Sequence, residues 1–93
     1  MQFDWDEEKN LLNHRKHGIW FEEAQTVFAD DLGRVFVDDE HSHDEERFVV
    51  VGMSSAARIL IVVHCYRQKD SIIRIISARK PTKKERKIYE ERI

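Results

Sequence analysis

Within the sixteen residues from His64 to Arg79 lie four groups that could act together on a phosphodiester: His64, Arg67, Arg74 and Arg79. Cleaving RNA without a metal needs a base to take the ribose 2′-hydroxyl proton. It also needs an acid to protonate the leaving 5′-oxygen, and fixed cations to stabilise the charge that builds on phosphorus. Histidine suits the first two roles, because its unperturbed pKa is about 6.5. Arginine suits the third, because its planar fork matches phosphate oxygens and stays charged. His64, Arg67 and Arg79 are the candidate catalytic residues. Arg74, Ser77, Lys83, Arg86 and Lys87 are candidate contacts to an RNA backbone. Competing with this is a plainer reading, in which His64 is a satisfied core residue of an apolar strand and the cations of "KKERK" are a solvated helix face.

Other chemistry-bearing residues form weaker patterns. His41 and His43 in "DDEHSHDEE" alternate with carboxylates as a metal site could, but no third ligand stands at a familiar spacing. No metal and no cofactor is expected. Cys65 adjoins His64, yet neighbours in a strand point to opposite faces, so the two do not make a nucleophile–base pair. His17 in "RKHG" could approach the sheet or end a helix, where a cation is favoured. The chain has no glycine-rich phosphate loop and no zinc-finger spacing, which removes nucleoside triphosphatases and zinc fingers from consideration.

Strands must position these groups. "RVFVD", "RFVVVGM", "RILIVVHCYR" and "SIIRIISARK" are rich in β-branched and aromatic residues and are separated by polar connections. A two-residue turn of Gln68 and Lys69 would pair Arg67 with Asp70, His64 with Ile73 and Val63 with Arg74. In that register His64, Tyr66, Ser77 and Arg79 share one face of the sheet.

Helices flank the strands. "FDWDEEKNLLNHRKHG" reads as a first helix, capped by Asp6 and ended at Gly18. "FEEAQTVFAD" reads as a second, with Phe21, Ala24, Val27 and Phe28 toward a core and Trp20 a poor cap. Pro81 ends the last strand. Thr82 and Glu85 then have the spacing of a capping box, which starts a final helix through "KKERKIYEER". The order ααββββα predicts an α+β domain over residues 1–93, with two N-terminal helices, a four-stranded, mostly antiparallel sheet and a C-terminal helix.

The bulk numbers agree with a compact domain. The chain has 93 residues, 41% of them hydrophobic and 37% charged. The longest apolar run, Ile59–Val63, is too short to span a bilayer, and the first residues lack the features of a secretory signal. One cysteine permits no intrachain disulfide, which with the preceding points indicates the cytoplasm. The net charge of −2 hides a division: residues 1–46 carry −10 and residues 47–93 carry +8. Such asymmetry fits a polyanionic partner, and equally fits two halves that neutralise each other once folded.

The segments "FDWDEEKNLLNHRKHGIWFEEAQTVFAD", "EERFVVVGMS", "RILIVVHCYR" and "RIISARKPTKKERKIYE" resemble the BrnT family of bacterial type II toxins, in the family's order and over nearly the whole chain. The resemblance implies a RelE-like fold and a metal-independent endoribonuclease that stops translation. It also implies a hetero-oligomer with a BrnA-type antitoxin, through which operator DNA is contacted indirectly. The family's recurring polar residues fall on Lys16, His17, Glu46, Arg47, His64, Arg67, Arg74, Ser77 and Arg79. Glu46 and Arg47 could equally be a structural ion pair at a strand entrance. The turn "RQKDSI" is longer than the family's usual one, and Trp20 stands where a small capping residue is commoner. Two other functions suit the same residues. One is a non-catalytic basic module that binds an acidic protein or nucleic acid. The other is a structural subunit whose basic helix pairs with a neighbour.

Overall fold

The structure, a computed structural model, describes residues 1–42 and 45–91. The suggested His41/His43 pair lies outside what is described, at His43 and at the side chain of His41.

The chain opens with a short strand β1 (Gln2–Asp4) and then helix α1 (Glu7–His17). Asp6 caps α1 by accepting from the backbone N–H groups of Glu8 at 2.8 Å and Lys9 at 3.2 Å. Gly18 ends it in the left-handed region at φ 73°, which glycine reaches without strain. Helix α2 (Phe21–Ala24) tightens at once into a 3-10 segment, Gln25–Ala29. Trp20 offers α2 no side-chain cap. Asn10 of α1 supplies one from a distance, accepting from the Phe21 N–H at 2.7 Å.

Strands β2 (Arg34–Val37), β3 (Phe48–Met53), β4 (Ile59–Arg67) and β5 (Ile72–Arg79) follow, then helix α3 (Lys83–Glu90). The capping box of α3 is present in both directions between Thr82 and Glu85. The sheet has five strands in the order β1-β5-β4-β3-β2, with β1 parallel to β5 and the other pairs antiparallel. The expected four-stranded sheet is therefore corrected to a five-stranded mixed one. Strand β1 is only three residues long and sits beside a helix-capping signal, too short to show a strand period.

Both faces of the sheet are used. On one, Ile19, Phe21, Ala24 and Val27 pack on Leu60, Val62, Ile73, Ile75 and Ala78. On the other, α3 lays Tyr89 and Ile88 over Val51, Ile59 and Ile61. Asp30 ties this second layer down, since its Oδ2 accepts from Tyr89 Oη at 2.6 Å and from the Met53 N–H at 2.7 Å.

Helix α1 inverts the usual amphipathic rule. Its buried residues are Asn10 and Asn13, while Leu11 and Leu12 are exposed. The reason is the edge of β5. Strand β1 covers that edge only at Ile72–Arg74. Further along, the Asn13 amide takes the place of a strand: it accepts from the Ala78 N–H at 3.0 Å and donates to the Ala78 carbonyl at 2.9 Å. A leucine there would leave two buried backbone groups unpaired.

Candidate active site

Register decides which side chains meet. The observed pairs are Arg67 with Ile72, Tyr66 with Ile73, Cys65 with Arg74 and His64 with Ile75. A bulge follows, after which Val63 faces Ser77 and Ile61 faces Arg79. Two local features overturn the register expected from the sequence. Gln68, Lys69 and Asp70 all adopt positive φ, so the turn takes more residues than two. The bulge then leaves Ile76 without a partner on β4. An extra residue reverses the alternation of side chains beyond it. Ile73 and Ile75 point into the helix-covered core, whereas Ser77 and Arg79 are turned to the other face.

The shared face of His64, Tyr66, Ser77 and Arg79 is thus corrected. His64 is fully buried on the α1/α2 side, ringed by Phe28, Phe48 and Tyr66 at 4.8, 6.0 and 5.4 Å between centroids. Its Nδ1 lies 3.2 Å from the Val62 carbonyl, as a donor in the neutral ring, and its Nε2 has no partner. Burial lowers its pKa, against the smaller opposing pull of the Val62 carbonyl. Cys65 points the other way, and burial raises its thiol pKa.

On the opposite face, a cavity of about 400 Å³ opens between α3 and the chain leading into β3. Val49, Val63 and Ile76 form its floor; Arg47, Ser77, Arg79 and Glu85 stand around it, with Asp38 and Glu40 on the rim. Arg79 reaches Glu85 through both guanidinium ends, at 2.7 and 2.9 Å. The bidentate pair, aided by the Thr82 cap, pulls the Glu85 carboxyl down to about 2. The same carboxylate accepts from the Thr82 N–H at 2.8 Å, so the start of α3 aims the guanidinium. His17 is the last residue of α1, one turn beyond Asn13. Its pKa is lowered by burial first, then by Lys16 and Arg79. Arg79 thus adds to the disfavouring of the imidazole's charged form.

The remaining expected residues divide. Arg74 shares the cavity's face of the sheet, one pair along at Cys65, and is held by Asp4 at 3.2 Å. Arg67 lies at the far end of that face, paired with Glu45 at 3.4 Å. Lys83 and Lys87 project from α3 roughly opposite to Glu85 and Tyr89, and both are exposed. Lys87 pairs with Glu91 at 3.7 Å and Arg86 with Glu90 at 3.8 Å. The basic helix thus turns two of its lysines away from the cavity that Arg79 faces. Arg47, for which the sequence leaves a structural ion pair with Glu46 equally open, stands on the cavity.

Comparison with known proteins follows the same lines. The family model described as ribonuclease toxin, BrnT, of type II toxin-antitoxin system matches residues 5–85. No curated protein matches the chain significantly. The crystal structure of the Brucella abortus ribonuclease toxin BrnT is similar, with a TM-score of 0.67, 22% sequence identity, and coverage of 89% of this chain and 99% of that one. At that identity the likeness establishes the fold. With the family model spanning most of the sequence, the chain belongs to the BrnT family of ribonuclease toxins of type II toxin-antitoxin systems.

Proposed function

We propose that this chain is an endoribonuclease that cleaves RNA without a metal and so inhibits translation in the cytoplasm, on a RelE-like scaffold. The observation that carries the proposal is the bulge at Ile76, which brings Ser77 and Arg79 out of the core and onto one cavity with Arg47. Arg79 and Arg47 supply fixed positive charge for a phosphate. His17, whose charged form burial and the neighbouring cations disfavour, is the proposed acceptor of the 2′-hydroxyl proton. The freed 2′-oxygen attacks phosphorus, the bond to the 5′-oxygen breaks, and that oxygen takes up a proton from water. The products are a 2′,3′-cyclic phosphate and a 5′-hydroxyl. Arg74 and Arg67, further along the same face, suit the flanking phosphates. His64, with no exposed surface, acts from inside the fold and does not touch RNA. Guanidinium groups supply the charge that a metal would otherwise carry.

A type II family implies an antitoxin protein as partner, and a BrnA-type chain is the proposed one, with operator DNA reached through it. The test is incubation of the antitoxin-free chain with RNA in EDTA from roughly pH 5 to 9. Fragments ending in cyclic phosphate support the reading, and intact RNA throughout, with folded protein, overturns it. One observation favours the second reading, a non-catalytic basic module: the Arg79 fork is already filled by Glu85. That reading predicts salt-sensitive RNA binding with no product.

A further inference from the structure

Strand β2 forms one end of the sheet, so one of its edges has no strand beside it among the described residues. All four of its residues are exposed, and three are apolar: Val35 at 52%, Phe36 at 42% and Val37 at 47%. Edge strands are ordinarily blunted by charge, proline or a covering element; here a single cation, Arg34, precedes three apolar residues, and no strand covers their outer edge among the described residues.

The phase of its hydrogen bonds is fixed. The Asp38 N–H donates to the Arg47 carbonyl at 2.8 Å, and Arg34, Phe36 and Asp38 follow the same phase toward β3. The N–H and C=O groups of Val35 and Val37 therefore point outward. Side chains alternate in step: Arg34 and Phe36 lie on the Arg79 face, opposite Val51 and Val49, while Val35 and Val37 lie on the other.

The sequence of this edge, Arg34-Val35-Phe36-Val37-Asp38, reads cation, three apolar residues, anion. Turned antiparallel onto itself about Phe36, it matches at every position. Val35 meets Val37 of the second copy as a hydrogen-bonded pair, twice over, which uses the outward backbone groups. Phe36 meets Phe36 at the closely spaced, non-hydrogen-bonded position, where aromatic cross-strand pairs are favourable. Arg34 meets Asp38 of the second copy on the same face. We propose that β2 pairs with β2 of a second copy, joining two five-stranded sheets into one continuous sheet around a two-fold axis at Phe36. That axis stands perpendicular to the sheet, so both Arg79 cavities open on the same side. The pairing does not rest on the ribonuclease reading, and the test below reads mass, not cleavage.

Sedimentation of the purified, antitoxin-free chain over a concentration series is the test, with circular dichroism to confirm that each variant is folded. The mass is expected to rise from one chain to two with concentration. Val35→Pro removes an outward N–H and spares the internal ladder, and it is expected to abolish the rise. Arg34→Asp and Asp38→Arg each set like charges opposite one another and weaken association roughly tenfold or more. Combining the two restores it. A chain that stays monomeric up to about 1 mM overturns the proposal. So does a dimer indifferent to Val35→Pro, or a double charge swap that fails to rescue. A monomer that binds an added antitoxin through β2 also overturns self-pairing.

Discussion

Glu85 holds Arg79 by both carboxylate oxygens, at 2.7 and 2.9 Å, and caps the start of its own helix with the same group. One side chain thereby couples the direction of a cation to the beginning of α3. Glu85→Gln keeps a capping group but loses the charge, and is expected to lower stability by about 0.5–1.5 kcal/mol, the smaller figure reflecting partial exposure. The carboxyl lies below its usual value, so its contribution is complete above 4.5 and is lost as pH falls toward about 2. Urea unfolding of both proteins across that range should show the two stabilities converging. A gap that persists at the acid end would show that the charge is not responsible.

Arg79 should matter in a way that lysine cannot replace. Arg79→Lys keeps a positive charge but not the fork that meets Glu85 and a phosphate at once. Cleavage should fall by about 10²–10³-fold, with the far-ultraviolet spectrum unchanged. Wild-type activity in this variant would move the reaction away from the cavity.

His64 makes the fold sensitive to mild acid. Its neutral ring is enclosed by Phe28, Phe48 and Tyr66, with Nε2 unpaired. The folded chain therefore binds fewer protons here than the unfolded chain, whose histidine titrates near the ordinary 6.5. Stability from this group is complete above that value and declines as pH drops below it, by up to about 1.4 kcal/mol per pH unit. His64→Leu should flatten the decline and leave stability at neutral pH equal or higher, because it removes an unsatisfied buried atom. Thermal unfolding from roughly pH 7 to 5 reads both effects, and equal slopes in the two proteins would refute this account.

Asn13→Ala should be among the most damaging changes outside the apolar core. It strands both backbone groups of Ala78 in a buried place, at a cost of about 2–4 kcal/mol. Hydrogen exchange at the Ala78 amide should quicken well beyond the global loss of stability. Protection that tracks the global value alone would mean that another group has taken over the bond.

The sequence carried its local signals well. Asp6, Gly18 and the Thr82/Glu85 box each fixed a helix end, because capping depends on residues within a turn of one another. The four longer strands were visible through their β-branched runs. What escaped depended on distance along the chain. Strand β1 is defined by a partner about seventy residues away. The cap for α2 comes from Asn10 and not from Trp20. The bulge at Ile76 leaves no mark in "IIRIISAR", yet it decides that Arg79 and His64 occupy opposite faces. Arg79 and Ser77 do share a face, as the alternation in the sequence suggests, but not with His64.

The parallel pairing of β1 with β5 also sets a timetable for synthesis. The first strand emerges early and has nothing to join until residues 72–74 have been made, and Asn13 waits for Ala78 in the same way. Contacts of such long separation form late. The guanidinium-bearing cavity therefore closes only after β5 and the start of α3, which brings Glu85, have both been made.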